Sequence, residues 1–389
     1  MASVRDRGNG SYQMVFTFGR QPNGKPQQYT DTYRHPSGIS SPEAKQVALN
    51  IASVWEQSVK TGDKYNPTRT VKDIIEIYLQ KGVTKLKENT LASYICQFKK
   101  RIIPTFGNYL AIQLTPSHIN EYLELLQDEL MAGSRHKITT ALSAAYSFAV
   151  ERGYLKESPC HHIVNPPDEE TEEQWTMTIE QAQRYIAFIH NSKTDEDIKR
   201  ILTFLSLTGL RIGECLGLSW NDINIDEKYL TVRHTLTSTN GLHLTKPKTK
   251  KSRRSIAIGN ECVNLLHQQK EYCNKLRKAL GANYDHPEMV FPSGLGNYRD
   301  RHSVYISLKR IIEGTEFDFM TLHKHRHVCA TIMLNKGADI ATVSAMLGHS
   351  SIDITAKIYA EVLAELKQVA AHNVEQALFA DNKYLSVKP

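Results

Sequence analysis

At 389 residues the chain is long enough for two or three domains, each with a core of its own, and a net charge of +7 suits a polyanionic partner. No apolar run approaches the roughly 20 residues that span a bilayer, and the opening MASVRDRGNGSYQ lacks the hydrophobic block of a secretion signal, so the expectation is a cytoplasmic protein with no membrane association. The six cysteines (Cys96, Cys160, Cys215, Cys262, Cys273 and Cys329) form no Cys-x-x-Cys pair, and neither His161-His162 nor the trio His323, His325 and His327 has ligand-spaced partners; reduced core thiols are expected, with no metal and no cofactor.

The first 63 residues predict a small sheet followed by a helix. Tyr12, Met14, Phe16 and Phe18 alternate with polar residues, Pro22-Asn23-Gly24-Lys25 supplies a turn, and Gln27 to Tyr33 returns as the paired strand. Ser41 caps the helix, Pro42 fits its first position, and Val47, Ile51, Val54 and Trp55 make its inward stripe. Gly62 to Arg69 is a polar linker. Helical periodicity then covers Val71 to Leu79, Thr90 to Arg101, Pro116 to Leu130 and Ser134 to Arg152, with Pro104-Thr105-Phe106-Gly107 and Gly133 as breaks. Lys81, Lys85, Lys87, Lys99, Lys100 and Arg101 make the first half of this bundle basic, whereas Glu121, Glu124, Asp128 and Glu129 line a later helix. Asn165 to Glu173 (NPPDEETEE) reads as an exposed hinge, because prolines and mutually repelling carboxylates disfavour packing.

A helix-rich domain begins at Thr178. Ile201 to Leu207 is apolar and stops at Gly209, and Arg211 emerges from the turn TGLRIGE, where an ion pair with Glu214 is the ordinary role for it. Tyr229 to Leu236, Leu242 to Thr245 and Arg254 to Ile258 read as strands, with the basic tip KPKTKKSRR between the last two. Leu322, Cys329, Ile332 and Met333 define a helix ended by Gly337, on which His323 and Arg326 are neighbours at a positively polarised N-terminus, an arrangement suited to phosphate. Asp339 caps a second helix with Ile340, Val343 and Leu347 inward; Gly348 ends it and His349 follows. Tyr359 lies on a third helix, capped by Ser350 or Ser351, with Ile358, Val362, Leu366 and Val369 on its apolar face, running to about Leu378 before a polar tail.

The turn TGLR-x-GE, the pair His323-x-x-Arg326, the turn Leu347-Gly348-His349 and a tyrosine ten residues further on stand in an order and spacing that resemble the tyrosine recombinases, the integrases of phages and conjugative transposons. One departure is that the residues between His323 and Arg326, usually one acidic and one apolar, are Lys324 and His325 here. The resemblance implies an α+β multidomain chain: residues 1–63 as an arm-type DNA-binding domain of three strands and a helix, 64–166 as a helical core-binding bundle, and 167–389 as a mainly helical catalytic domain with a small antiparallel sheet. Arg5, Arg7, Arg20, Lys25 and Arg34 would contact arm DNA. Tyr359 would attack the phosphate in line and form a 3′-phosphotyrosyl link. Arg211 and Arg326 would hold the non-bridging oxygens, His349 would donate to one of them, and His323 would accept the tyrosine proton. A lysine of the basic tip would protonate the 5′ oxygen, with Lys248 the best match and Lys246, Lys250 and Lys251 competing.

The implied function is site-specific recombination of double-stranded DNA at core and arm sites, by a homotetramer on DNA, with accessory DNA-bending or directionality proteins. A type IB topoisomerase would share the chemistry without exchanging partners, and the arm-like N-terminal unit argues against it. A catalytically silent DNA-binding regulator would have no need of a tyrosine at that register.

Overall fold

The computed structural model describes residues 2–8, 10–34, 41–61, 65–84, 86–164, 177–246, 253–349 and 351–379. The chain forms two compact units, Met1–Thr171 and Glu172–Pro389. The expected hinge at 165–173 lies outside the described residues, as do Lys85, Ser350 and the polar tail.

The first unit opens with an antiparallel sheet of β1 (Ser3–Asp6), β2 (Ser11–Arg20) and β3 (Pro26–Arg34), in the order β1-β2-β3. The period-two pattern puts Tyr12, Met14 and Phe16 on one face, where with Tyr33 they bury against α1 (Ser41–Thr61). Phe16 stacks on Tyr29 at 5.1 Å and meets Trp55 edge-on at 4.8 Å. Two expected core positions are corrected. Phe18 is exposed because the pairing of β2 with β3 shifts between Thr17 and Arg20, which breaks the alternation, and Val54 is exposed because Ala44, Ala48 and Ala52 make the contact face together with Ile51 and Trp55. Small residues let the helix lie close on the sheet. The expected linker is free neither at Thr68, whose hydroxyl donates to the Asp31 carboxylate, nor at Arg69, which lies 4.8 Å over the Tyr154 ring.

The helices α2 (Val71–Lys81), α3 (Glu88–Gln97), α4 (Ile103–Phe106), α5 (Pro116–Leu125) and α6 (Ala132–Glu151) complete this unit. Thr70 with Asp73, and Thr115 with His118, satisfy the first free N–H groups of α2 and α5. Pro104 does not break the chain's helical course. It lacks an N–H, and the turn before it, Phe98–Ile102, widens into a π-helix whose following Ile103 N–H reaches back to the Phe98 carbonyl. Gly133 sits in the first turn of α6 instead of before it, and α5 ends at Leu125, short of Leu130. The core gathers Ile138, Leu142, Ala145 and Tyr146 of α6 against Ile74, Ile75, Phe98 and Ile102. Lys81, Lys87, Lys99 and Lys100 are exposed, and Arg101 pairs with Glu129 at 3.2 Å. Cys96 is exposed, which corrects its placement among the core thiols.

The second unit begins with α7 (Ile179–Asn191), capped by Thr178 and Gln181, then α8 (Glu196–Thr208) and α9 (Ile212–Leu216). The predicted strand Tyr229 to Leu236 divides in two. The strands β4 (Ile223–Asn224), β5 (Tyr229–Thr231) and β8 (Ser255–Ala257) form one sheet in the order β4-β5-β8, whereas β6 (Thr235–Thr237) pairs with β7 (His243–Thr245) in another. The second sheet lies on α9: a Cβ on Gly213 or Gly217 would come within 2.9 Å of the Leu236 backbone. The basic tip therefore joins two sheets and is not the end of one hairpin; 247–252 lie outside the described residues. The chain continues with α10 (Asn260–Leu280), α11 (Arg301–Ile312), α12 (Lys324–Asn335), α13 (Ile340–Leu347), α14 (Ile352–Ile358) and α15 (Ala360–Phe379). Buried Ile201, Leu202, Phe204 and Leu205 of α8 pack at the centre with Leu266, Phe291 and Leu308. No helix among the described residues is long and apolar enough to cross a membrane.

Candidate active site

The C-terminus of α8 makes the first wall. Gly209 has φ 62°, the left-handed conformation that ends a helix and turns the chain at once, so that Arg211 becomes the N-cap of α9. The expected ion pair is present: Arg211 Nη1 donates to Glu214 Oε1 at 2.9 Å and its backbone N–H to Oε2 at 3.0 Å. The Arg211 side chain is nevertheless 41% exposed, so it can still face a ligand. Glu214 is buried and belongs to a second cation that its place in the basic tip does not single out. Arg254, at the foot of β8, donates from Nη1 and Nη2 to the two oxygens at 3.2 and 3.0 Å, and from Nε to the Met346 carbonyl. Burial would raise the Glu214 pKa, but the hydrogen bond and charge of Arg254, then Arg211, outweigh it and hold the carboxyl below its ordinary value.

The second wall is the start of α12. His323 is its N-cap and is exposed, with a pKa below the ordinary value because of partial desolvation and the charges of Arg326 and Arg211. Arg326 is 2% exposed, Nη1 donating to the Gly209 carbonyl at 3.0 Å and Nη2 to that of Leu347 at 2.5 Å. Burial and the nearby Arg211 lower its pKa to about 9, which leaves it cationic at neutral pH. The departure Lys324-His325 is accommodated. Lys324 Nζ lies 5.1 Å over the Phe319 ring. His325, wholly buried, has both ring nitrogens engaged, Nδ1 with the Thr321 carbonyl and Nε2 with the Tyr185 hydroxyl, each at 2.9 Å. Burial lowers its pKa to about 4, so the ring is neutral and its two partners fix the tautomer: Nδ1–H donates and Nε2 accepts.

The third wall is the turn after α13, which Asp339 caps by accepting from the Thr342 N–H at 2.9 Å. Gly348, at φ 69°, ends the helix with room for nothing larger, since a Cβ there would meet the Arg254 side chain at 2.9 Å. His349 follows, its Nδ1 2.7 Å from the Thr355 hydroxyl. Burial and the charges of Arg326, Arg211, His327 and Arg254 lower its pKa to about 4. When Thr355 donates to Nδ1, the ring proton is on Nε2, available to an anion.

Tyr359 does not lie within a continuous helix. It is the residue at which α14 ends and α15 begins, and Ser351 caps α14. The ring is 1% exposed among Ala330, Leu334, Val343 and Leu347, and burial pushes its phenol above the ordinary tyrosine value against a smaller pull from Arg326. Its hydroxyl lies 3.1 Å from His327 Nδ1, a residue to which the sequence motifs assign no role. The signal available was its position, one turn from His323 on the same helix. Val362 is buried beside the tyrosine; the side chains of Leu366 and Val369 are not among those described.

Arg211, His323, Arg326, His349 and Tyr359 are thus brought together by contacts between the turns that carry them: Arg326 bonds the Gly209 and Leu347 carbonyls, Tyr359 packs with Leu347, and His327 lies between His323 and Tyr359. Lys248, Lys250 and Lys251 lie outside the described residues, and Lys246 is exposed at the last described position before them.

The phage integrase family matches residues 176–365, and the SAM-like N-terminal domain of phage integrases matches residues 70–127. A tyrosine recombinase XerC-like protein of Caldanaerobacter subterraneus is 27% identical over 94% of this chain and 96% of its own, and the ICEBs1 integrase of Bacillus subtilis is 25% identical over 97% and 100%. Among solved structures, the Tn1549 transposon integrase in complex with transposon right end DNA superposes with a TM-score of 0.61 at 19% identity, covering 77% of this chain and 99% of that one. The chain belongs to the phage integrase family, the tyrosine recombinases.

The Arg211–Glu214–Arg254 network gives a prediction. Breaking a buried ion pair by removing one partner costs about 3–5 kcal/mol, so Arg254→Met should lower the unfolding free energy of the second unit, read from denaturant curves, by that order. The folded Glu214 pKa is depressed, so its stabilisation is present above the reference value of 4.5 and is lost as pH falls through the folded value. The stability gap between wild type and Glu214→Gln should therefore close in acid; a gap independent of pH would exclude the carboxylate's charge as its source.

Proposed function

We infer that the protein is a site-specific DNA recombinase that cuts and rejoins DNA through a 3′-phosphotyrosyl intermediate. The observation that carries this reading is the buried Tyr359 hydroxyl in a cluster with two guanidinium groups that come from other parts of the chain. Arg211 and Arg326 neutralise the non-bridging oxygens of the scissile phosphate, the forked guanidinium being suited to bidentate contact. His349 donates to one of those oxygens, and His323, at the exposed N-terminus of α12, receives the proton that leaves the tyrosine side of the site. Lys248 supplies a proton to the departing 5′ oxygen. The phosphotyrosyl bond conserves the energy of the broken one, so that a different 5′-hydroxyl can rejoin the strand. That relatives include the ICEBs1 integrase and tyrosine recombinases XerC and XerD supports exchange over simple relaxation.

The chain divides by role into residues 1–63 for arm DNA, 64–166 for core DNA and 167–389 for catalysis. It works in the cytoplasm as a homotetramer on DNA, with accessory DNA-bending or directionality proteins. The exposed Arg5, Arg7, Arg20, Lys25 and Arg34 support the first assignment, and the exposed lysines of α2 to α4 the second.

Wild-type protein incubated with sheared genomic DNA of its source and then denatured should retain covalently linked fragments whose sequences converge on one site. Tyr359→Phe should bind that site and retain none; adduct formation by the Phe variant would place the nucleophile elsewhere.

The 5′ oxygen leaves as an alkoxide and needs a proton, whereas a sulfur in its place leaves as thiolate unaided, a thiol having a pKa of about 8.5. Lys248→Ala should slow cleavage about 10²- to 10⁴-fold on normal DNA and regain most of the rate with the sulfur-bridged duplex. Selective rescue of a Lys246, Lys250 or Lys251 variant instead would move the acid to that residue.

Arm binding predicts a change in salt dependence. Neutralising Arg5, Arg20, Lys25 and Arg34 together should flatten the plot of log affinity against log salt by about 0.9 for each phosphate that the protein no longer neutralises. An unchanged slope would remove the N-terminal sheet from the DNA interface.

A further inference from the structure

Tyr359 is held in a way that the roles above do not explain. A phenol hydroxyl at a buried position needs an acceptor for its proton, and among the described residues the only hydrogen-bond partner of Tyr359 Oη is His327 Nδ1, at 3.1 Å. His327 stands one turn along α12 from His323, the two rings edge to face with centroids 5.0 Å apart. We propose that His327 is the immediate acceptor of the Tyr359 proton, and that His323 acts one step further out, towards solvent and the phosphate. This rests on the recombinase reading and refines it. In the cleavage step Oη bonds to phosphorus as its bond to hydrogen breaks; the proton passes to His327 Nδ1, and the P–O5′ electron pair leaves with the 5′ oxygen, which is protonated separately. Rejoining returns the proton along the same bond.

The surroundings make this acceptor depend on substrate. His323, Lys324 and Arg326 from its own segment, His349 from the turn after α13 and Tyr359 from the end of α14 face His327. Burial first, then His323, Arg326 and Lys324, lower its pKa to about 4, so without DNA the ring is neutral but a poor base. A phosphate seated between Arg211 and Arg326 offsets that positive charge and lifts the basicity of the imidazole when the phosphorus is in reach. The tyrosine is thereby kept protonated in the free protein.

The test uses the duplex recovered from the wild-type adduct, so failure to obtain an adduct would count against the recombinase reading and not against His327. His327→Asn keeps an acceptor near Nδ1 but cannot take the proton; His327→Gln is the companion should the Asn protein fold poorly by circular dichroism. Single-turnover cleavage by the substituted protein should be about 10²-fold or more slower at unchanged DNA affinity. Replacing Tyr359 by a ring-fluorinated tyrosine, whose phenol is more acidic, should restore at least tenfold of that rate, with little gain in a His327-containing protein. The cleavage rate of the Asn variant should also rise with pH beyond the point at which wild type has levelled off. Cleavage within threefold of wild type, or a defect that fluorination and high pH leave untouched, would overturn the proposal and reduce His327 to packing.

Discussion

A buried guanidinium, with Nη1 on the Gly209 carbonyl and Nη2 on the Leu347 carbonyl, ties α12 both to the end of the following helix, α13, and to the end of α8 more than a hundred residues earlier. Each carbonyl belongs to the end of a helix, where unpaired C=O groups and the aligned peptide dipoles leave partial negative charge. Both ends are turned by glycine in the left-handed conformation, Gly209 at φ 62° and Gly348 at φ 69°, and both therefore close tightly enough to share Arg326. A Cβ on Gly209 would reach within 2.8 Å of the Leu347 side chain, so the two turns touch. The residues that follow these turns, Arg211 and His349, inherit their positions from this junction. The cation proposed to hold the phosphate is thus also part of what holds its neighbours in place.

The site is arranged as a concentration of positive charge around neutral imidazoles. Burial is the first cause of every depressed histidine in it, and Arg326 contributes to those of His323, His327 and His349. An empty site of this kind resists protonation of its histidines and keeps Tyr359 as a phenol. A phosphodiester is the group that relieves both conditions, because its charge pairs with the arginines. In the proposed reaction, specificity for an anion and activation of Tyr359 then follow from one electrostatic change.

Arg254 extends this frame to the small sheets. It stands at the end of the basic tip, contacts Glu214 and Met346, and occupies the space that keeps residue 348 a glycine. A strand register in β8 therefore bears on the α9 N-terminus and on the turn that carries His349. Two glycines of α9 and its C-terminal turn rest on the Leu236 backbone, so the second sheet is pressed on the same short helix. The division of the predicted Tyr229–Leu236 strand into β5 and β6 lets one segment serve both sheets.

Much of this was legible in the residues because it depends on local rules. Capping residues, helix-ending glycines and the period of apolar positions located most helices, and the motifs around Arg211, His323, Arg326, His349 and Tyr359 carried the family resemblance by order and spacing. Elsewhere, non-local pairing decided. Phe18 and Val54 have the hydrophobicity of core residues, yet a register shift and an alanine-built contact face left them exposed; Pro104 looked like a stop, yet a π-turn absorbed it. His327 carries no pattern that marks it as a partner of Tyr359, since the two are 32 residues apart and meet only when α12 packs against the junction of α14 and α15. Arg254 likewise read as one more charge in a basic tip. Sequence determines which side chains can do chemistry and on which local element they stand; burial, tautomer and hydrogen-bond partner belong to the packed fold, because each is set by groups that the chain brings together only through tertiary contact.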